Sequence, residues 1–464
     1  MNRIPTYPSG TGEPDTPPAS PNGFSMPKAR LREPGISRAI WIPVIWLMIM
    51  GSRNISAWFD DPDSVDITDL AMEGSPLDRN IFLALILIGV IVLWRRRIDW
   101  GRVLRTNSWV FLLFLYAAVS IVWSDFPFVS LKRWIKGTGN IVMVLIVFTD
   151  PMPLEAFKAL IRRVGYVLIP ASVVLILFFP TLGSVTDPQL GETAFTGVTT
   201  QKNSLGYDCL VFGLFYFWLI LTNRHSKGKG SKGKNYLIPG LMLLMIAFLF
   251  FKARSATAAS CFLLGVTVML ATKEPRRDER GNRLFNGLVL VGIFAALILP
   301  LAGDPIEFLL KSMGREVTLT GRTDLWKSLL DAGTNPVIGT GYESFWLGKK
   351  AEKIWEIFIW MPNQAHNGYL EMYLNLGIFG LFLLGLAFVS AFLDINRTFK
   401  TDYEWGRFRI AFFLIVLFYN VAEAAFLKNH LVWLMFLFIT IGSPAYSLLR
   451  PAPVRKRVPR IPSR

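Results

Sequence analysis

The chain offers few residues for acid-base chemistry. It has three histidines and two cysteines in 464 residues. One histidine, His366 in the run AHNGYLEMYLNLGIFG, stands where a long apolar helix is expected to begin. The positive end of a helix dipole favours an uncharged ring there, and an uncharged imidazole can accept a proton from a hydroxyl. Arg322, in TLTGRTDLW, and Arg254, in the tight FKARS turn, carry planar forks that bind phosphate oxygens in pairs. Lys202 and Asn203, in TTQKNSLG, stand at the start of another apolar run. A base among phosphate-binding cations suits attack by a hydroxyl with loss of a phosphorylated leaving group, the cations assisting departure rather than attack.

Each residue also has a plainer reading. Arginines and lysines near lipid commonly anchor helices to headgroups, and a histidine at a helix start is commonly a cap or interface residue. The GTG run at Gly339 to Gly341 reads as a turn before it reads as a phosphate cradle. Asp208, Asn420 and Glu423 fall inside apolar runs, where polar groups are costly; such residues serve function or brace the bundle. Cys209 and Cys261 sit in apolar runs without metal-ligand spacing and read as small core residues.

The elements that position these residues follow from composition. The chain is 52% hydrophobic and only 18% charged, with its apolar residues in long blocks, which points to lipid as the solvent. The net charge of +16 does not indicate nucleic acid, because most Lys and Arg fall in alternate short loops and the two tails, the positive-inside pattern. Following the runs gives an all-α polytopic integral membrane protein of about twelve spans with both ends in the cytoplasm. Residues 1–38, rich in Pro, Gly and Ser, are expected to form a disordered cytoplasmic tail. Nine spans are expected over 39–302, then one large outer loop over 303–367, three more spans over 368–448, and a basic cytoplasmic tail over 449–464. Within the large loop, Leu325, Trp326, Leu329 and Leu330 share one face of a short helix that Thr323 is placed to cap and that Gly333 and Pro336 stop. It reads as an interfacial helix lying on the membrane core. On this topology His366, Arg322, Arg254 and Lys202 all face the outer side.

GRTDLW, then PVIGTGYESF, then AHNGYLEMYLNLGIFGLFLL resembles the signature region of the O-antigen ligase and polymerase superfamily. The likeness is best over about Thr318 to Leu384 and extends more loosely to QKNSLG and the ARSATA turn. GSRNISAWF, after the first span, looks like its ExoQ-like exopolysaccharide polymerase branch. The resemblance implies a GT-C-like architecture with a large periplasmic loop in the inner membrane of a two-membrane bacterium. The implied enzyme is a metal-independent glycosyltransferase without a cofactor, polymerising undecaprenyl-pyrophosphate-linked oligosaccharides at the periplasmic face. By position His366 would be the general base and Arg254 and Arg322 the pyrophosphate clamps. Lys202, Asn203, Asn367 and Tyr342 would contact substrate. The large loop has no Asp-x-Asp pair, whereas Asp61 and Asp63 in the first outer loop do have that spacing.

Three rivals remain. A ligase delivering glycan to a lipid acceptor would use the same donor and residues. A transporter would account for Asp208 and Glu423, although transport sites usually lie at mid-membrane rather than at the outer surface. A non-catalytic component of an export complex would have no need of a base beside phosphate clamps. Expected partners are the lipid-linked oligosaccharide, membrane lipid, and co-polymerase and export proteins, with no nucleic acid.

Overall fold

A computed structural model describes residues 35–59, 75–186, 193–225, 234–272, 287, 289–292, 322–358 and 360–441. Nearly all of the N-terminal tail, the acidic loop with Asp61 and Asp63, the basic loops around Lys229 and Arg277, most of the span expected over Phe285 to Leu301, the start of the large loop and the C-terminal tail lie outside these residues.

The described chain is helical, as the long apolar runs require: in lipid a backbone must satisfy its own polar groups. Its elements are α1 (Trp41–Met50), α2 (Pro76–Arg95), α3 (Trp100–Thr106), α4 (Ser108–Val119), α5 (Pro127–Phe148), α6 (Pro153–Phe178), α7 (Lys202–His225), α8 (Lys234–Ala253) and α9 (Ala256–Ala271). After these come α10 (Arg322–Leu330), α11 (Lys349–Ile357), α12 (Gly368–Thr398), α13 (Tyr403–Ala422) and α14 (Leu431–Ile441). Helices α2, α6, α7, α8, α12 and α13 contain stretches long and apolar enough to cross a membrane, while α1, α9 and α14 lie in shorter apolar helices. The α3–α4 pair bends by 89°. The chain is therefore an all-α polytopic membrane protein. Its one described ribbon is an antiparallel hairpin between α6 and α7, β1 (Ser184–Thr186) with β2 (Thr193–Phe195), pairing Ser184 with Phe195.

Two features shape the side that carries the large loop. First, the apolar face of α10 is covered by other parts of the protein. Leu325, Trp326 and Leu329 pack with Phe345, Trp346, Ile354, Ala365, and Leu370 and Leu374 of α12 into a separate core. Second, the span beginning at Gly368 is broken. Gly377 stands at φ +66° and ψ −168° inside α12, and a Cβ there would lie 2.2 Å from the Val337 carbonyl. Only glycine permits both this backbone and that approach. The freed groups are satisfied by the incoming loop: Ile378 and Phe379 donate to the Pro336 and Val337 carbonyls at 2.9 and 3.2 Å. Thr340 and Gly341 donate to those of Leu374 and Asn375 at 3.0 and 2.9 Å. The GTG run is thus a docking strap that ties the large loop to α12.

Candidate functional site

The site begins with the peptide before His366. Its carbonyl, from Ala365, accepts from Trp326 Nε1 at 2.8 Å, and Ala365 N–H donates to Glu371 Oε2 at 2.8 Å. Glu371, one turn into α12, also accepts from Trp346 Nε1 at 3.0 Å and pairs with Lys428 Nζ at 3.0 Å. Asn367 caps α12, its Oδ1 accepting from Tyr369 and Leu370 N–H at 3.0 and 3.1 Å. These contacts fix both sides of His366, which adopts φ +48°. A non-glycine residue holds that backbone only where its surroundings over-determine it.

The His366 ring meets a carboxylate from 57 residues away. Nδ1 lies 3.3 Å from Glu423 Oε2, at the end of α13, with Gln364 Nε2 3.4 Å from the same nitrogen. A carboxylate accepts and an ionised one cannot donate, so this contact suits the neutral tautomer with its proton on Nδ1 and Nε2 left as the acceptor. Glu423 Oε1 accepts from Asn203 Nδ2 at 3.0 Å and faces Arg322 Nη2 at 3.6 Å. Arg322 also donates to the Ala422 carbonyl at 2.7 Å, covering the C-terminal end of α13. One carboxylate thus gathers His366, Arg322 and Asn203, and its side chain is only 8% exposed.

Arg254 arrives by a different route. Helices α8 and α9 are joined by Arg254 and Ser255 alone, with Arg254 at φ +49°. Gly206, in QKNSLG, lets this turn approach α7: a Cβ there would fall 2.7 Å from Ser255 Cβ. Arg254, Lys202, Asn203 and His366 consequently line one cleft of about 900 Å³, together with Lys252, Gln201, the β1–β2 hairpin and residues 360–364. Lys252 Nζ rests 4.6 Å from the Phe195 ring centroid. Neither Lys202 nor Arg254 has an acidic partner among the described residues. The cleft is a concave, cation-lined surface with a histidine held on its wall, suited to an anionic ligand of pyrophosphate character.

Residues 239–385 match the family model described as O-antigen ligase. The chain is also 27% identical over 320 residues to the exopolysaccharide production protein ExoQ of Rhizobium meliloti (strain 1021), covering 66% of this chain and 70% of that one. Both matches support a likeness to the ExoQ-like part of the O-antigen ligase and polymerase family. With the apolar helices, they support a multi-pass membrane protein with an exopolysaccharide or O-antigen polymerase or ligase activity. The O-antigen ligase stretch takes in Arg254, Arg322 and His366; Lys202, Asn203 and Glu423 lie outside it.

Two expected substrate contacts take other places. Tyr342 is buried at 3% exposure; its hydroxyl donates to the Leu427 carbonyl at 2.7 Å and its N–H to Ser120 Oγ at 3.0 Å. Burial, with Glu343 beside it, pushes its phenol well above the ordinary range, so it remains a donor. Asn367 is wholly buried as the α12 cap. Both support the site from behind. Glu423 was flagged by sequence only as a costly acid in an apolar run, and its partners were hidden by chain separation. Lys252 and Trp360 carried no signal apart from their type. Asp208 is buried in α7 with neither carboxylate oxygen bonded among the described residues, and it is not among the cleft-lining residues.

Proposed function

We propose that this protein joins undecaprenyl-pyrophosphate-linked oligosaccharide units at the periplasmic face of the inner membrane, as a polysaccharide polymerase. The observation that carries this reading is a histidine oriented by a buried carboxylate in the same cleft as three cations without acidic partners among the described residues. A hydroxyl of the acceptor sugar approaches His366 Nε2, gives up its proton there and forms the new bond to the donor's anomeric carbon. The bond from that carbon to the pyrophosphate oxygen breaks, and the negative charge that develops is taken up by Arg254 and Lys202. Arg322 acts from beside Glu423, neutralising the carboxylate and offering its remaining N–H groups to the leaving group. Attack opposite the pyrophosphate inverts the anomeric configuration. No divalent ion is assigned a role, because the cations supply the positive charge. The O-antigen ligase description of the matching stretch favours a second reading, transfer to a lipid acceptor, in which the same residues serve.

The test is His366→Ala in reconstituted membranes supplied with purified lipid-linked repeat units. A correctly inserted variant is expected to join glycan about 10²–10⁴-fold more slowly than wild type. Full activity in that variant, or a product retaining the donor configuration, removes the mechanism.

A further inference from the structure

Two kinds of surface line the cleft. One is cationic, from α7 and the end of α8; the other is the strip 360–366, which carries an indole, a thioether, two amides and His366. This strip is firmly held. Trp355 Nε1 donates to the Pro362 carbonyl at 2.8 Å, Met361 N–H to that of Phe358 at 3.0 Å, and Ala365 is bound on both sides. Met361 and His366 both adopt positive φ, +43° and +48°. On this strip Trp360 is left 46% exposed, its ring centroid 6.0 Å from that of His366 and tilted by 39°. Its indole N–H has no hydrogen-bond partner among the described residues. Asn363 and Gln364 line the cleft close by in sequence.

We propose that Trp360 is the platform of an acceptor-sugar subsite; this rests on the reading of the cleft as a site of glycan joining. A pyranose has one face rich in C–H bonds, and their slightly positive hydrogens complement the negative face of an indole. A sugar stacked on Trp360 presents its hydroxyls to the Asn363 and Gln364 amides and brings one within reach of His366. The pyrophosphate lies instead against Lys202, Lys252 and Arg254. The two walls thereby divide the substrates by chemistry: an apolar and amide surface for the incoming sugar, a cationic one for the donor's leaving group. Rigidity of the strip matters because a pre-placed platform spends little of the binding energy on ordering.

The experiment titrates two probes separately into the full-length protein in lipid nanodiscs: an oligosaccharide repeat cut from the host's own polymer, and inorganic pyrophosphate. Trp360→Ala is expected to weaken oligosaccharide binding about tenfold, with Trp360→Phe intermediate and pyrophosphate binding unchanged within twofold. Arg254→Ala is expected to give the reverse pattern. Unchanged oligosaccharide binding in Trp360→Ala, as for an indole that only anchors the protein at the membrane surface, overturns the subsite. So does absence of oligosaccharide binding in the wild type, or an equal loss of both probes. Pyrophosphate binding that survives Arg254→Ala counts against the phosphate clamp instead and leaves the sugar platform standing.

Discussion

Cations are handled in opposite ways at the two ends of the bundle, matched by protein acceptors where they are buried and open to solvent in the cleft. At the end away from the cleft, Arg409 is fully buried and saturated: it donates to the Ile439 carbonyl at 2.6 Å, to Thr398 Oγ1, and to Asp394 Oδ2 at 2.6 Å. Arg96 likewise reaches the Ile146 carbonyl, Thr149 and Asp150. In the cleft, Lys202 and Arg254 face open volume without an acid among the described residues, and Lys252 leans on an aromatic ring. The carboxylate that meets His366, Glu423, does not itself line the cleft and is shared by a histidine, an arginine and an amide. A cation whose donors are all matched holds helices together. One left short of acceptors is poised for an anion from outside, and the difference separates structural from functional charge in a chain with a net charge of +16.

The comparison breaks most readily at Glu423. Glu423→Gln keeps the shape but removes the charge, and its amide can donate to Nδ1 and so place the imidazole proton on the wrong nitrogen. Glycan joining is expected to fall about 10²–10⁴-fold, read as kcat with reconstituted lipid-linked donor; a fall of less than tenfold means Glu423 only braces α13. The next largest effects come from one arginine at each end. Arg254→Ala is expected to cost about 10²–10³-fold in kcat/KM with the unfolding midpoint unmoved. Arg409→Met is expected to cost about 2–3 kcal/mol of stability by leaving the half-buried Asp394 without its partner, while activity per folded molecule is kept. Thermal unfolding and turnover measured on the same preparations decide it, and matching losses at both ends would erase the distinction.

The histidines form a smaller version of the same contrast. His366 meets a carboxylate in the cleft. His430, between α13 and α14, is buried between the rings of Tyr207 and Tyr419, with centroids 4.3 and 5.6 Å away, and its Nδ1 accepts from Val432 N–H at 3.1 Å. Burial, with Lys428 adding to it, pushes the His430 imidazole down to about 3. The unfolded chain therefore binds a proton here that the folded chain refuses between pH 6.5 and about 3. This contribution to stability is complete above pH 6.5 and is lost as pH falls through that window. His430→Asn keeps an acceptor for Val432 and does not titrate; its unfolding midpoint is expected to drop less between pH 7 and 5 than that of wild type. Parallel curves would show that His430 does not govern acid sensitivity.

Much of the fold was legible because hydrophobic length is a local property. The tight FKARS hairpin, the start of α12 after Asn367 and the apolar face of α10 all follow from short runs of sequence. What could not be read were contacts between distant segments. The break at Gly377 is forced by a loop forty residues upstream, and nothing in LNLGIFG alone distinguishes a broken helix from a continuous one. The face of α10 was visible but not its covering, which comes from residues after 340. In the candidate site, residue type marked out His366, Arg254 and Lys202, and the three line one cleft. The pairing of His366 with Glu423 depended on where α13 ends against α12.

Tyr342 offers the gentlest test of the comparison, because sequence context placed it with the substrate contacts and its environment places it with the saturated groups. Tyr342→Phe removes one buried hydrogen bond to the Leu427 carbonyl and leaves the ring in place. The expected cost is about 1 kcal/mol of stability, with the KM for lipid-linked donor unchanged. A rise in KM without loss of stability would move Tyr342 to the substrate side and extend the site beneath the strap. An unmoved KM would confine binding to groups that still lack partners, since a hydroxyl already committed to a carbonyl behind the cleft has no proton to offer a sugar or phosphate in front of it.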